Sequence, residues 1–444
     1  MYSIKLNSQI KEYYSNLNQF TDKFSDFFNH MSYLSSSIKC DIENEENKSN
    51  EELDIWANRI KLINNIKDIE ISFIILCKNE ERCIERCLKS IFSESSNVDE
   101  VVVIDSGSTD NTKEIINSKF KETVLIETIW ENDFSKLRNL GIKNAKKKWI
   151  FFIDADETLM NGSINNLRRY LKIIEWYDFN NVVISPNIIN SNDHIIHEVK
   201  RIFKKDSGIQ YYGKIHEEPR KDINLMGSEL IFINFDNIIL THDGYKKEII
   251  DLKNKINRNV NLLNEMIAIE PENPRWKYFL GRDGKEFMSK ENYEEFLKKS
   301  ILLCDTKPIF LRYKIRALSD LTGYYIDDIR LEEAKESLNK LEKINPDLSD
   351  IIYYKIFIMF IEYKKKCLDF LNELITFKNN RKNIEYGGIH SSYYHIDFLI
   401  SRLLFELGEY EKSFSIIEHL EKREFGNYTK LYEKLYHSLS AYMG

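Results

Sequence analysis

The pattern of apolar and polar positions changes character twice along the chain. Up to about residue 66 it reads as polar, amphipathic helix, broken at Glu43-Asn-Glu-Glu-Asn-Lys-Ser-Asn50, a charged, asparagine-rich stretch that predicts an exposed loop. Phe20, Phe24, Phe27 and Phe28 recur there at helical spacing and predict one apolar face. From Ile71 the pattern becomes short, solid apolar runs separated by amphipathic stretches. Ile71-Ser-Phe-Ile-Ile-Leu76, Val101-Val-Val-Ile104, Thr123–Ile129 and Trp149-Ile-Phe-Phe-Ile-Asp154 predict four strands. Between the first two, Ile84, Cys87, Leu88 and Ile91 fall at i, i+3, i+4 and i+7, one face of a helix. Asp110 or Asn111 can cap a second helix, and Trp130-Glu-Asn-Asp133-Phe-Ser135 turns the chain into a third, which carries Arg138 and Asn139. From about residue 250 the pattern is helix after helix.

Four strands alternating with three helices predict a parallel, right-handed βαβ sheet. The division that follows is a helical extension over 1–69, an α/β domain over 70–249 and a helical domain over 250–444. Apolar patterning does not explain the strand ends. Three of them finish in acidic or amide side chains: Asn79 and Glu80, then Asp105, then Asp154-Ala-Asp156-Glu157. Carboxylates this close repel one another unless a cation or a set of donors sits among them. In an open α/β sheet the carboxyl ends of the strands are also where ligands bind. Neither G-x-G-x-x-G nor G-x-x-x-x-G-K-[ST] is present, so a phosphorylated donor needs another source of positive charge. A divalent metal on the paired aspartates, helped by Arg138, supplies one.

Composition narrows the classes. The 444 residues are 42% apolar, enough for two or three domains, and the 15 glycines and 6 prolines leave room for long helices. A net charge of -7 argues against a general nucleic-acid binder. No apolar run is long enough to span a bilayer and the first residues hold no apolar signal core, which predicts a cytoplasmic protein without stable membrane insertion. The six cysteines have no metal-ligand spacing; Cys77, Cys83 and Cys87 read as reduced thiols filling a helix face.

Lys78-Asn-Glu-Glu81, Asp105-Ser-Gly-Ser-Thr-Asp110, Trp130-x-x-Asp133-Phe-Ser-x-x-Arg138-Asn139 and Asp154-x-Asp156-Glu157, in that order, resemble an inverting family 2 glycosyltransferase. The resemblance implies a GT-A fold: a Rossmann-like α/β nucleotide-sugar-binding domain with a mainly parallel sheet. It places Lys78, Asn79 and Asp105 against the base and ribose of the donor and Arg138 near the diphosphate, with Glu80, Ser106 and Asn139 also in the donor-binding set. Asp154 would reach the ribose and the metal, and Asp156 would be the main ligand of Mg²⁺ or Mn²⁺. Downstream, Val183-Ile-Ser-Pro186, Arg201-Ile-Phe203, Tyr212-Gly-Lys-Ile-His216-Glu217-Glu218-Pro219, Thr241-His242-Asp243-Gly244-Tyr245, Arg258-Asn259 and Glu270-Pro-Glu-Asn-Pro274-Arg-Trp276 are similar to the sublancin-type peptide S-glycosyltransferases of bacteriocin clusters. Those attach a hexose to a cysteine of a small precursor peptide.

An inverting displacement needs a group to deprotonate the acceptor. Glu217 is the expected general base, with Glu218 and Asp243 as competitors, and His216 is expected to bind the sugar or orient the base. His242 closes a strand and is expected on the metal or the diphosphate. Pro274 and Pro308 lie one tetratricopeptide period apart, and Trp276, Gly281, Tyr293, Phe296 and Leu297, with Leu407-Gly-Glu-Tyr410, resemble that repeat. Tyr353, Tyr354, Tyr386, Tyr393 and Tyr394 are candidates to line its groove, and such a domain can bind a peptide or form a homodimer. The expectation is a metal-dependent transferase moving a hexose from a UDP-hexose to a cysteine, or also a serine, of a precursor peptide. The same chemistry on a saccharide or lipid-linked acceptor, and a repeat adaptor with a degenerate transferase domain, are the alternatives.

Overall fold

The computed structural model describes residues 65–66, 68–191, 193–222, 230–242, 252–306, 308–380 and 392–423. The phenylalanine stripe near the N-terminus, the loop at 43–50, Asp243 and Tyr386 lie outside the described residues. The chain divides into two compact units, residues 1–288 and 289–444. The division therefore falls beyond the change of pattern at 249/250.

In the first unit the four expected strands are β1 (Ile71–Cys77), β2 (Glu100–Asp105), β3 (Val124–Glu127) and β4 (Trp149–Asp154). They alternate with α1 (Ile84–Glu94), α2 (Thr112–Lys119) and α3 (Phe134–Asn144). After β5 (Glu157–Leu159) and α4 (Ser163–Trp176) come β6 (Val182–Asn190), β7 (Ile195–Ile196), β8 (Ile202–Lys204), β9 (Gln210–Tyr212), β10 (Glu218–Arg220) and β11 (Ile231–His242). Two helices, α5 (Leu252–Ile269) and α6 (Pro274–Gly284), complete the unit. Nine strands form one sheet, ordered β3-β2-β1-β4-β8-β6-β11-β5 with β7 beside β6. β1 to β4 are parallel, as are β6 and β11, while β8, β7 and β5 run antiparallel to their neighbours. The expected mainly parallel sheet is present; β9 and β10 make a separate ribbon.

The strands read as solid apolar runs because both faces are covered. Phe73, Ile75, Val101, Val103, Phe151 and Ile153 pack with Ile84, Leu88, Ile91, Ile164 and Leu171 of α1 and α4. Their neighbours Ile74, Val102, Ile104, Ile150 and Phe152 pack on the opposite face with Leu137 of α3, Phe203 and Tyr211. Each such residue contributes roughly 1.5–3 kcal/mol by leaving water, which fixes the register of the whole sheet. The register aligns the strand ends: Cys77 stands opposite Asp105, and Leu76 opposite Asp154.

In the second unit α7 (Lys290–Cys304), α8 (Leu311–Asp327), α9 (Leu331–Ile344), α10 (Ser349–Asn380), α11 (Tyr394–Glu406) and α12 (Tyr410–Glu421) pack in sequence, each on the next. Arg330 and Tyr325 converge on Glu294 at 2.6 and 2.9 Å, and Thr322 meets Ser337 at 2.8 Å in the buried α8–α9 seam. This is the expected helical C-terminal domain. Trp276 and Gly281, read as repeat signature, lie instead in α6 of the first unit, where Trp276 is fully buried. Among the described residues no helix is long and apolar enough to cross a membrane.

Asp133 caps α3, accepting from the Lys136 amide at 3.1 Å, and Gly141 lets the helix settle onto β1. A Cβ at Gly141 would sit 2.6 Å from Cγ2 of the buried, β-branched Ile74. Gly141→Ala should therefore destabilise by about 1–3 kcal/mol through overpacking, read as a lowered urea midpoint; an unchanged midpoint would show that α3 is not seated this closely.

Candidate active site

The turns after β1 and β2 are stitched to each other. Asn79, at φ +57, donates its amide to Ser108 Oγ at 2.8 Å and accepts from the Thr109 amide at 2.8 Å. The Glu80 amide donates to Thr112 Oγ1 at 2.7 Å; the Glu81 amide donates to Asp110 Oδ2 at 3.1 Å, and the Glu81 carboxylate accepts from the Asn111 amide at 2.9 Å. Asp105 is fully buried; its Oδ1 accepts from the amides of Gly107 and Ser108 at 3.0 and 2.8 Å, and Ser108 Oγ donates to Oδ2. Ser106 Oγ donates to the Cys77 carbonyl at 3.2 Å. Of the expected nucleotide-binding set, Asn79, Asp105 and Ser106 thus build the turn itself, and Lys78 stands exposed on it. Cys77, Cys83 and Cys87 are buried, unbridged thiols whose pKa values burial pushes up, consistent with inert packing groups.

The acids that end β4 meet two arginines. Arg201, arriving on the approach to β8, donates Nη2 to Asp154 Oδ2 at 2.6 Å and to Glu157 Oε1 at 3.3 Å, and Nη1 to Glu157 Oε2 at 3.3 Å. Arg138 reaches Asp154 Oδ1 at 3.4 Å from α3, and its guanidinium lies 5.2 Å from the ring centres of Phe152 and Tyr211. Burial would raise the Asp154 carboxyl, but Arg201 and Arg138 outweigh it and hold the pKa down to about 2. Glu157 is more deeply buried and has only Arg201; burial, with Asp154 beside it, pushes its pKa up to about 7. Glu157 also accepts from the Asp154 amide at 2.8 Å, so it braces the turn rather than facing a ligand.

Asp156 points the other way. Its Oδ2 lies 3.1 Å from His242 Nε2, whose ring is held from behind by Asn190 Oδ1 at 3.2 Å from Nδ1. β11 brings His242 opposite Glu157 in the sheet register, which places it beside Asp156. The expected metal set of Asp154, Asp156 and His242 is therefore divided: Asp156 and His242 are together, while both Asp154 oxygens are turned to arginines. Among the described residues no three His, Cys, Asp or Glu side chains converge as a metal cage.

The third component is the turn between β9 and β10. Glu217 Oε1 accepts from Arg138 Nε, so the expected base is engaged by the cation that also meets Asp154. Glu218, its competitor, pairs with Arg275 at 2.5 Å and with fully buried Arg220 at 3.3 Å, which removes it from the acceptor side. His216, at φ +49, stacks on Phe279 with ring centres 4.1 Å apart, and its Nε2 lies 2.6 Å from Asp283 Oδ2. Gly213 precedes it at φ +109, where a Cβ would sit 2.8 Å from Trp276. Glu270 then closes the assembly, accepting from Arg220 at 2.9 Å, Asn273 at 2.7 Å and Trp276 Nε1 at 2.8 Å. Asn139 proves to be a clamp: it gives 2.9 Å to the Tyr211 carbonyl and accepts 2.8 Å from its amide, holding β9 against α3 rather than facing the acids.

Residues 72–248 match the family described as "Glycosyl transferase family 2". The chain carries a family 2 glycosyltransferase domain. It is 29% identical over 340 residues to the SPbeta prophage-derived glycosyltransferase SunS of Bacillus subtilis (strain 168), across 76% of this chain and 77% of that relative. It is 26% identical over 208 residues to a TPR repeat-containing protein of Synechococcus elongatus, across 46% of this chain and 49% of that protein. A solved structure, S. aureus TarS 1-349 in complex with UDP-GlcNAc, overlaps with a TM-score of 0.35 at 13% identity, over 62% of this chain and 91% of that one. At that overlap it fixes no residue's role.

Four residues around the site carry no role in the sequence reading: Arg201 and Arg275, which stand there only within motif stretches, and Tyr211 and Asp283. Arg201 had one usable signal, since three clustered acids demand a buried cation and Arg201-Ile-Phe203 is a short apolar run opening on a charge. Removing that cation leaves Glu157 and Asp154 without their main partner. Arg201→Met should cost about 3–5 kcal/mol, measured by urea unfolding; a loss below about 1 kcal/mol would show that the pair does not hold the turn.

Proposed function

We propose that the chain is a metal-dependent inverting glycosyltransferase that moves a hexose from a UDP-sugar to a cysteine thiol of a ribosomally made bacteriocin precursor peptide. The observation that carries the donor side is the Asp156–His242 pair at the carboxyl edge of the sheet. One carboxylate oxygen and one imidazole nitrogen suit Mn²⁺ better than the oxygen-preferring Mg²⁺; either ion can take few protein ligands and complete its shell with substrate phosphate. Asp156 and His242 would hold the ion, and when bound it would neutralise charge on the departing diphosphate. A second observation fits a phosphorylated donor: Arg138 is 8% exposed, yet its Nη1 has no hydrogen-bond partner among the described residues. A buried guanidinium hydrogen without an acceptor suits a phosphate or sugar oxygen.

At the anomeric carbon the displacement forms one bond and breaks one, and the acceptor thiol gives up its proton to a base of the site. Acceptor sulfur attacks the anomeric carbon from the face opposite the diphosphate, the carbon–oxygen bond breaks, and the nucleoside diphosphate leaves with the electron pair, inverting the carbon. The motifs similar to peptide S-glycosyltransferases and the likeness to SunS support the peptide thiol as acceptor. Incubation with a UDP-sugar panel and Cys-containing peptides, read by mass spectrometry, should show one hexose or N-acetylhexosamine on cysteine, abolished by a chelator. Asp156→Asn should lower kcat by on the order of 100-fold or more. Transfer that survives chelation would remove the metal from the reading.

We also propose a homodimer through the helical unit. α10 exposes Ile352, Ile356, Met359, Tyr363, Phe370 and Phe377, whose positions follow a heptad seam. Each is roughly half exposed, and with the flanking Phe357 and Phe360 they offer roughly 600–800 Å², near the ~800 Å² per partner of a standard interface. A heptad seam is self-complementary about a two-fold axis. Light scattering should give a dimer mass for the wild-type chain and a monomer for Ile356→Glu/Phe370→Glu; a monomeric wild type would exclude it.

A further inference from the structure

We propose that His216 Nδ1 is the atom that takes the acceptor's proton, and that Asp283 on α6 is the positioning residue that keeps it available. The inference rests on the transferase reading above and assigns the acceptor side of the His216-Glu217 turn to His216. Asp283 divides its two oxygens: Oδ1 accepts from Arg282 Nε at 2.8 Å, and Oδ2 lies 2.6 Å from His216 Nε2. A carboxylate only accepts, so Nε2 must carry the ring proton in this pair, and Nδ1 then bears the lone pair. Arg282 Nη2 also approaches Nε2, at 3.3 Å, but it is already 2.7 Å from Asp283 Oδ1 and does not need the ring as its acceptor. Among the described residues Nδ1 has no hydrogen-bond partner.

The ring is fixed on its other sides. Phe279 stacks against it, and Arg275 Nη2 donates to the His216 carbonyl, so the left-handed turn that aims the imidazole is held from α6. The charged groups facing it are Asp283, Arg282 and Arg275; burial, with the two guanidiniums, holds its pKa below the ordinary imidazole value against the pull of Asp283. Burial would raise the Asp283 carboxyl, but His216 and Arg282 hold it low, so the pair is neutral imidazole and carboxylate. Glu217, by contrast, gives Oε1 to Arg138 and stays with the donor-side cation. In the step itself the S–H or O–H bond of the acceptor breaks and its proton passes to Nδ1. The heteroatom's electrons form the bond to the anomeric carbon, and the diphosphate leaves with the electrons of the broken carbon–oxygen bond. This is the arrangement in which a carboxylate fixes a histidine tautomer for general-base work.

The test pairs kinetics with a signal that needs no turnover. With ¹⁵N-histidine labelling of the full chain, and His216→Gln to assign one of the nine histidines, wild type should show an Nε2–H tautomer at His216. Asp283→Asn should shift it toward the Nδ1–H form. On paired Ser and Cys acceptor peptides, His216→Gln and Asp283→Asn should lower kcat by about 10²–10⁴-fold with serine. Cysteine should lose less, because a few per cent of a thiol is already ionised at neutral pH, and KM for the UDP-sugar should hold within about 2-fold. Melting curves and UDP-sugar binding confirm that the variants fold. An Nδ1–H signal in wild type, unchanged kcat in both variants, or loss of the acidic limb of the pH profile in Glu217→Gln but not in His216→Gln would each overturn the dyad. If wild type modifies neither peptide, the transferase assignment falls first and this proposal with it; transfer by wild type with unaffected variants overturns the dyad alone.

Discussion

Two buried arginines set the terms for everything at the carboxyl edge of the sheet. The sequence places Asp154 and Glu157 at the end of a strand buried on both faces, where Glu157 is buried and cannot remain charged alone. Arg201 answers both, and Arg138 answers Asp154 from the opposite side. Their unequal share is visible in the opposite shifts of the two carboxyls, Asp154 down and Glu157 up. With those two carboxyls met by arginines, Asp156 pairs separately with His242. The acidic cluster is thus two structures in one stretch: an arginine-paired brace and a separate Asp156–His242 pair.

The same guanidinium connects the donor side to the turn at His216. Arg138 spans Asp154 and Glu217, so the β9–β10 turn cannot shift without disturbing the acids at β4. From the other direction α5 and α6 secure that turn through Glu270, Arg275, Trp276 and Asp283. Residues 252–284, which continue the helical pattern of the C-terminal region, therefore serve the transferase unit. A boundary drawn where strands give way to helices misses this, because periodicity reports the element type and not which core the element covers.

Much of the fold was legible because its cause is local. Solid apolar runs and i, i+3, i+4, i+7 spacing placed β1 to β4 and the face of α1, and aligned strand ends followed from parallel pairing. The site was legible in part. Motif order singled out Asp156, His242, Arg138 and the His216-Glu217 turn as candidates, but not the side chains that pair with them. Asp154 reads as a ligand in sequence and becomes a brace only once Arg201, far along the chain, is folded against it. Asn139 and Asp105 carry motif positions whose polar atoms bind backbone, a use that composition cannot distinguish from ligand binding. Asp283 is 67 positions from His216 and lies on an ordinary amphipathic helix, so no local signal marks it.

The division of labour bears on the choice of acceptor. A hydroxyl must lose its proton as it attacks, whereas a thiol near pKa 8.5 offers a minor thiolate population at neutral pH. In the proposed reaction a neutral histidine is suited to receiving that proton, because it would do so without adding negative charge beside a leaving diphosphate. A free carboxylate in the same place would repel both the donor and an incoming thiolate. Pairing Glu217 with Arg138 cancels that repulsion and leaves the imidazole as the uncharged polar group of the turn. On the proposed reading, the chemistry that would separate thiol from hydroxyl transfer is governed less by the acids that announce the family than by what α6 does to His216.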